Sequence, residues 1–259
     1  MTDRDAFRIR FGREAPDGLD IGGIGTHRSV RDFVPHALPE GTVEALQLAA
    51  ASASTSSNLQ AWSVVATTDP EGKARLAALC SDQRQIKECG LFLAFFADLH
   101  RVSLAAPDAA ILDTAEMGLV ATIDAALAAE RLVVAAERLG LGICYIGALR
   151  DHPADVRELL GLPDRVVGVF GLCVGVPADP SAGGPRPKLA PEAFWFADRY
   201  DPAPDIAEYD RRHAAYAAKE GMGGPPEWSP RTARRVGEKA LGSRAGLLEF
   251  LRSVGLFRR

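Results

Sequence analysis

Residues 52–62 read Ser-Ala-Ser-Thr-Ser-Ser-Asn-Leu-Gln-Ala-Trp, and their role decides the architecture. Five of the first six residues are Ser or Thr, and none is charged. Such a run suits a flexible linker between domains, or a loop whose hydroxyls hold a polar ligand. The flanks argue against a linker. Pro39 to Ala53 carries apolar residues and Ala at helical spacing, and Trp62 to Thr67, WSVVAT, is a short β-rich run. Both flanks need the same core, so the Ser/Thr run joins a helix to a strand within one domain.

Working outward, Glu71 to Cys80 is a second helix candidate, and Leu91 to Ala97, LFLAFFA, is an apolar run expected at the centre of a sheet. Asp113 to Leu139 is the longest helix candidate; with Ala and apolar residues nearly all round, it is expected to be buried as a spine, stopped by Gly140 and Gly142. A strand follows at 143–146, then a helix from Pro153 to about Leu160, then a glycine-bearing strand at 165–177. Residues 178–193 are rich in Pro and Gly and are expected to be irregular. Three short amphipathic helices are expected at 204–219, 230–240 and 243–254. The expected division is an irregular lead-in over 1–26, an α+β core over 27–200, and a helical C-terminal extension over 201–259 with little core of its own.

Composition bounds the function. The chain has 259 residues, 47% hydrophobic and 25% charged, with a formal net charge of −4. This is an ordinary globular make-up, which gives no reason to expect nucleic-acid binding. The N-terminus lacks the apolar stretch of a signal peptide, and charges interrupt the apolar segment 109–139, so no membrane span is expected. Cys80, Cys89, Cys144 and Cys173 show no metal or redox spacing, and a reducing cytoplasm is the default location.

No dinucleotide fingerprint, phosphate-binding P-loop, nucleophile elbow or metal-ligand pattern occurs. Three other elements carry chemistry. THRSVRDF at 26–33 places His27, Arg28, Ser29 and Arg31 within five residues, a grouping that suits either a phosphate dianion or a solvated turn. RPKL at 186–189 offers Arg186 and Lys188 on either side of a proline, a pair that also occurs as a plain surface feature. GLGICYIGALR at 140–150 is a strand ending in Gly147, which could mark a close approach to a ligand or only a tight turn.

Taken together and in order, HRSVRDF (27–33), STSSNLQAW (54–62), GLGICYIGALR (140–150), FGLCVGVPAD (170–179) and RPKLAPEAF (186–194) resemble the FMN-dependent nitroreductase family, most closely its larger oxygen-insensitive nitroreductase and flavin reductase subgroup. The resemblance implies an α+β fold with a mostly antiparallel central sheet flanked by helices. It also implies a homodimer with FMN at the subunit interface and the C-terminal extension wrapping the partner.

Residue by residue, the resemblance assigns the FMN phosphate to His27, Arg28 and Ser29, completed by Arg186 and Lys188. Arg31 falls at the pyrimidine edge of the flavin, where negative charge gathers on reduction. Thr55, Ser56, Ser57, Leu59 and Gln83 line the flavin, and the strand end Tyr145-Ile146-Gly147-Ala148 lies beneath the ring. The implied activity is hydride transfer from NADPH or NADH through flavin N5 to nitroaromatics, quinones or free flavin by ping-pong exchange. No protein nucleophile or metal is required. Alternatives within the fold are a biosynthetic flavin oxidase or dehydrogenase with a dedicated substrate; outside enzymology, a flavin-binding protein without turnover.

The chain departs from the family in three places. Ala148 stands where many relatives have Gly, so its methyl is expected to crowd the ring face slightly. The subgroup's loop for the NADPH 2′-phosphate carries arginines, whereas 217–229 here offers Lys219 with Glu220 and Glu227 nearby. NADPH preference is therefore expected to be weakened, lost, or moved to residues such as Arg231 or Arg244. The lead-in is longer than usual and has no functional account from sequence.

Overall fold

The computed structural model describes residues 1–259. In chain order its α-helices are α1 (Asp3–Phe11), α2 (Thr42–Ala51), α3 (Pro70–Leu79), α4 (Arg84–Glu88), α5 (His100–Ala105), α6 (Ala115–Arg138), α7 (Pro153–Leu160), α8 (Ala207–Lys219), α9 (Trp228–Val236) and α10 (Leu247–Ser253). The strands are β1 (Trp62–Thr67), β2 (Leu91–Asp98), β3 (Gly142–Ile146) and β4 (Val166–Gly175). The chain forms two compact units, residues 29–181 with 242–259, and residues 1–28 with 182–241.

The larger unit holds a four-stranded, fully antiparallel sheet in the order β1-β2-β4-β3. The β2 sequence is apolar throughout because both its faces are buried. Phe92, Ala94 and Phe96 enter one core with Leu76, Ile86 and Val156 from α3, α4 and α7. Leu91, Leu93 and Phe95 alternate into a second core with Leu46 of α2 and Ala128, Leu132 and Val133 of α6. The period-2 alternation of strand side chains thus serves two cores with one apolar run. Helix α6 starts at Thr114, whose hydroxyl accepts from the Met117 N–H, and its Ala-rich inner face lies against the sheet as the expected spine.

The C-terminal segment completes this unit. Val254 and Leu256 are buried beside Met117 and Ala121, the Ala115 N–H donates to the carbonyl of Arg259 at 2.7 Å, and Arg259 pairs with Asp113 at 2.8 Å. The end of the extension therefore buries its apolar residues against α6 of its own chain.

The smaller unit joins the two ends of the remaining sequence. Residues 3–11 are helical where an irregular lead-in is expected. A reciprocal capping box between Thr2 and Asp5 starts α1, and Gly12 in the left-handed conformation (φ 67°) ends it. This short polar helix has no apolar stripe to announce it. Phe11 stacks on Phe194 with ring centroids 6.4 Å apart, and Tyr209 of α8 meets Trp228 of α9 edge-on. No helix is long and apolar enough to cross a membrane.

Candidate functional site

The Ser/Thr run forms a loop that ends on β1. Ser57, Asn58 and Gln60 adopt positive φ of 47°, 56° and 50°. Left-handed backbone at a non-glycine residue costs roughly 1–2 kcal/mol, so the surrounding structure must enforce it. Two side chains do so. Asp124 of α6, 1% exposed, accepts the N–H of Ser56 at 3.0 Å and of Ala61 at 3.1 Å. Arg101 of α5 donates to the carbonyls of Gln60 and Trp62. The loop interior adds a bond from the Gln60 N–H to the Thr55 hydroxyl at 3.3 Å. Ser56, Ser57, Asn58 and Leu59 remain exposed on this fixed backbone.

Residues 29–34 run beside β3 and the segment after β4. The Val30 N–H donates to Ile143 at 2.8 Å and the Val34 N–H to Val176 at 2.8 Å. Val30 and Phe33 are buried while Arg31 and Asp32 are exposed, and Asp32 pairs with Arg84. A methyl at Gly142 would lie 2.7 Å from the Val30 Cβ, so this close approach requires glycine. Gln83 is engaged locally, donating to the Cys80 carbonyl at 3.1 Å and accepting from Gln85 at 2.6 Å.

Beyond β3 the backbone turns at Gly147. A Cβ added there would meet only Arg150 Nη2, at 3.6 Å, so protein packing leaves room on that side. Ala148 is 7% exposed and belongs to the first core; its methyl packs into the protein. Tyr145 is 37% exposed and donates to Glu130 of α6 at 3.2 Å. Burial and then the Glu130 carboxylate push the Tyr145 phenol well above its ordinary range, so it stays neutral as a donor.

The second basic segment lies in the smaller unit with His27 and Arg28. Pro185 and Pro187 are buried and alternate with exposed Arg186 and Lys188. The Pro187 carbonyl accepts from Tyr209 at 3.1 Å, and that of Lys188 accepts from Arg212 at 2.9 Å. Desolvation, then Arg10 and then Arg186, lower the Lys188 ammonium below its ordinary value. This is a cation set whose mutual repulsion an anion would relieve. Sequence reasoning missed Arg10, Arg101 and Asp124 as builders of these segments, because their contacts lie far away in the chain.

The three residues suggested for the nicotinamide nucleotide are placed differently. Lys219 ends α8, exposed. Arg244 pairs with Asp151 at 2.6 Å. Arg231 lines an open cavity with Arg234, Arg235 and the backbone of 223–225. It donates to the Gly223 carbonyl at 3.0 Å, and its buried Nε has no hydrogen-bond partner in the protein.

Residues 24–176 match the profile of the nitroreductase family, and residues 186–259 match the family's C-terminal domain. The chain belongs to the nitroreductase family. It is 38% identical over 220 residues to an FMN reductase (NADPH) of Bacillus subtilis strain 168, covering 81% of this chain and 88% of that protein. It is 37% identical over 244 residues to an NADPH-dependent oxidoreductase of Staphylococcus epidermidis, covering 90% and 96%. In structure it is similar to the NfrA1 nitroreductase of B. subtilis, with a TM-score of 0.82 at 33% identity over 90% of this chain and 97% of that one. It is also similar to the NADPH:FMN oxidoreductase of Vibrio harveyi complexed with NAD+, with a TM-score of 0.79 at 31% identity over 90% and 96%.

Proposed function

We propose that this chain is an FMN-dependent oxidoreductase that takes hydride from NADPH or NADH and passes it to flat acceptors such as nitroaromatics, quinones or free flavin. Family membership and the NADPH-dependent relatives support the general reaction. The observation that carries the reading to this chain is the uncharged, exposed Ser56–Leu59 segment, in a loop that Asp124 and Arg101 hold with Ser57, Asn58 and Gln60 at positive φ. Strain fixed in this way is characteristic of a ligand-contacting loop.

The residues present fit FMN. In the smaller unit, His27, Arg28, Arg186 and Lys188 supply cations for a phosphate dianion. Arg31, exposed beside β3, supplies the charge for the pyrimidine edge. Thr55, Ser56, Ser57, Leu59 and Gln83 offer polar and apolar contacts for the ring, and the open side of Gly147, between Ile146 and Ala148, admits a planar group. Bound FMN supplies the hydride-accepting and hydride-donating centre. The chain's residues bind, orient and stabilise charge around it, without a nucleophile.

A homodimer, in the cytoplasm, completes the reading. Leu119, Ile123 and Leu127 recur every four residues on α6 and stay 52%, 53% and 44% exposed, an apolar stripe suited to a second copy. The Ser56 loop leads into β1 and the Gly147 turn follows β3, the opposite edge strands of the sheet. Pairing two copies through α6 offers a way for one chain's loop to serve the other's strand end. Val236, Leu241 and Leu248 remain exposed along the extension and are its candidates for covering a partner.

For the electron donor, the α9 cavity supports relocation of the 2′-phosphate contact from 217–229 to Arg231, Arg234 and Arg235. The overall test is anaerobic stopped-flow mixing of the yellow holoprotein with NADPH and NADH. Rapid bleaching of bound flavin, followed by reoxidation with a quinone or nitroaromatic, is expected. A colourless protein that gains no flavin on reconstitution, or bound flavin that neither donor bleaches, would sink the reading.

A further inference from the structure

We infer that Arg10, on the N-terminal helix, is the positioning residue of the phosphate site, and that α1 is the brace that carries it. The inference rests on the reading that His27–Arg28 and Arg186–Lys188 hold the FMN phosphate. It assigns a role to a helix that lies before residue 24, where the family match begins.

Arg10 bonds to both basic segments. Its Nε donates to the Gly25 carbonyl at 2.9 Å and its Nη2 to the His27 carbonyl at 2.8 Å. Its Nη1 reaches the Arg186 carbonyl at 3.5 Å. In return, the carbonyl of Arg10 accepts the Lys188 N–H at 2.8 Å and Arg212 Nη1 at 2.8 Å. One residue thus fixes the backbone of two segments far apart in sequence. A planar guanidinium with five donors suits this work, and a lysine ammonium cannot reproduce the fork.

Asp3, at the other end of α1, secures the approach to His27. Its carboxylate accepts the N–H groups of Ile21, Gly23 and Gly25 at 2.9, 2.8 and 2.8 Å. A Cβ at Gly25 would lie 2.7 Å from Asp3 Oδ1, so the glycine permits this contact. The helix therefore sets the path of 21–27 through Asp3 and ties its end to 186–188 through Arg10.

Flavin-stripped protein is titrated with FMN and with riboflavin, which lacks the phosphate, while thermal unfolding is followed in parallel. Wild type is expected to bind FMN far more tightly than riboflavin. Arg10→Gln is expected to lose about tenfold or more in FMN affinity with riboflavin affinity unchanged. Arg10→Lys keeps the charge but loses the fork, and is expected to fail as rescue. If Arg10→Gln does not fold, Arg10→Lys decides the matter by the same loss of FMN-over-riboflavin selectivity. Full rescue by Lys, or an equal loss toward both ligands, overturns the positioning role. A wild type that does not distinguish the two ligands overturns the underlying phosphate reading along with it. A wild type that does distinguish them, with unaltered Arg10→Gln, overturns the Arg10 role alone.

Discussion

The carboxylate of Asp124 accepts the backbone N–H of Ser56 at 3.0 Å, and its second oxygen accepts that of Ala61 at 3.1 Å. A single buried side chain on α6 therefore closes the ends of a loop whose Ser57, Asn58 and Gln60 sit at positive φ. In Asp124→Asn the amide oxygen keeps one acceptor bond, but the amide nitrogen faces an N–H donor. The cost is expected to be about 1–3 kcal/mol, with FMN affinity falling about tenfold as the loop relaxes. Thermal unfolding and FMN titration measure both. A lowered Tm with unchanged FMN affinity would separate the loop from the flavin.

The spacing of Leu119, Ile123 and Leu127 leads to a second expectation. A charge at the middle position cannot be buried unpaired between two copies of α6. Ile123→Asp is expected to sediment as a monomer at concentrations where wild type is dimeric, and to lose FMN with the partner. A dimeric Ile123→Asp protein would place the interface elsewhere.

Lys188 titrates below its ordinary 10.5 because desolvation, Arg10 and Arg186 disfavour its charge. The sign follows from linkage. Because the folded value is lowered, the charged amine is a burden on the fold, and apoprotein stability rises as pH climbs through that lowered value toward 10.5. A phosphate favours the ammonium. FMN affinity is therefore expected to be level while Lys188 is protonated and to fall as pH rises through its lowered value. Lys188→Met is expected to bind FMN more weakly and to flatten this fall. Titrations at stepped pH check it, with riboflavin as the control that should not respond.

Much of this arrangement could be read from the residues. WSVVAT and LFLAFF announce β1 and β2 because strand propensity and burial agree there, and the Ala-rich periodicity of 113–139 announces α6. The helices α1, α4 and α5 escaped because they are short and present no clear apolar stripe; α1 depends on a capping box and a glycine stop. The basic pairs at 27–31 and 186–188 were visible as charges. What binds them was not, since Arg10 reaches both through backbone carbonyls, and no side-chain pattern encodes a carbonyl. Asp124 is similarly hidden, since the sequence shows it only as one of the charges that interrupt the apolar segment 109–139.

Gly118 bears on the C-terminal segment. A Cβ there would lie 2.5 Å from the Phe257 ring. Gly118→Ala is expected to displace Phe257 and destabilise the protein by about 1–3 kcal/mol. Phe257→Leu in that background should restore part of the loss. No destabilisation would mean that the segment 254–257 does not dock on its own α6 in solution.

The proposed relocation of the 2′-phosphate contact makes donor preference depend on the charge of α9. The loop 217–229 provides Lys219, followed by Glu220 and Glu227, whereas Arg231, Arg234 and Arg235 line one cavity with the 223–225 backbone. The Nε of Arg231 is buried without a protein acceptor, and a phosphate oxygen is the kind of group that would satisfy it. Arg231→Gln and Arg234→Gln are each expected to lower kcat/KM for NADPH by about tenfold, which corresponds to about 1.4 kcal/mol, and to leave the value for NADH nearly unchanged. The same pair of measurements on wild type tests how much NADPH selectivity the chain has with Lys219 as the one basic residue of 217–229. A preference for NADPH above about a hundredfold, or about 2.7 kcal/mol, would overturn the expectation drawn from the loop 217–229. Equal losses for both donors in the arginine variants would mean that the cavity serves the fold and not the 2′-phosphate.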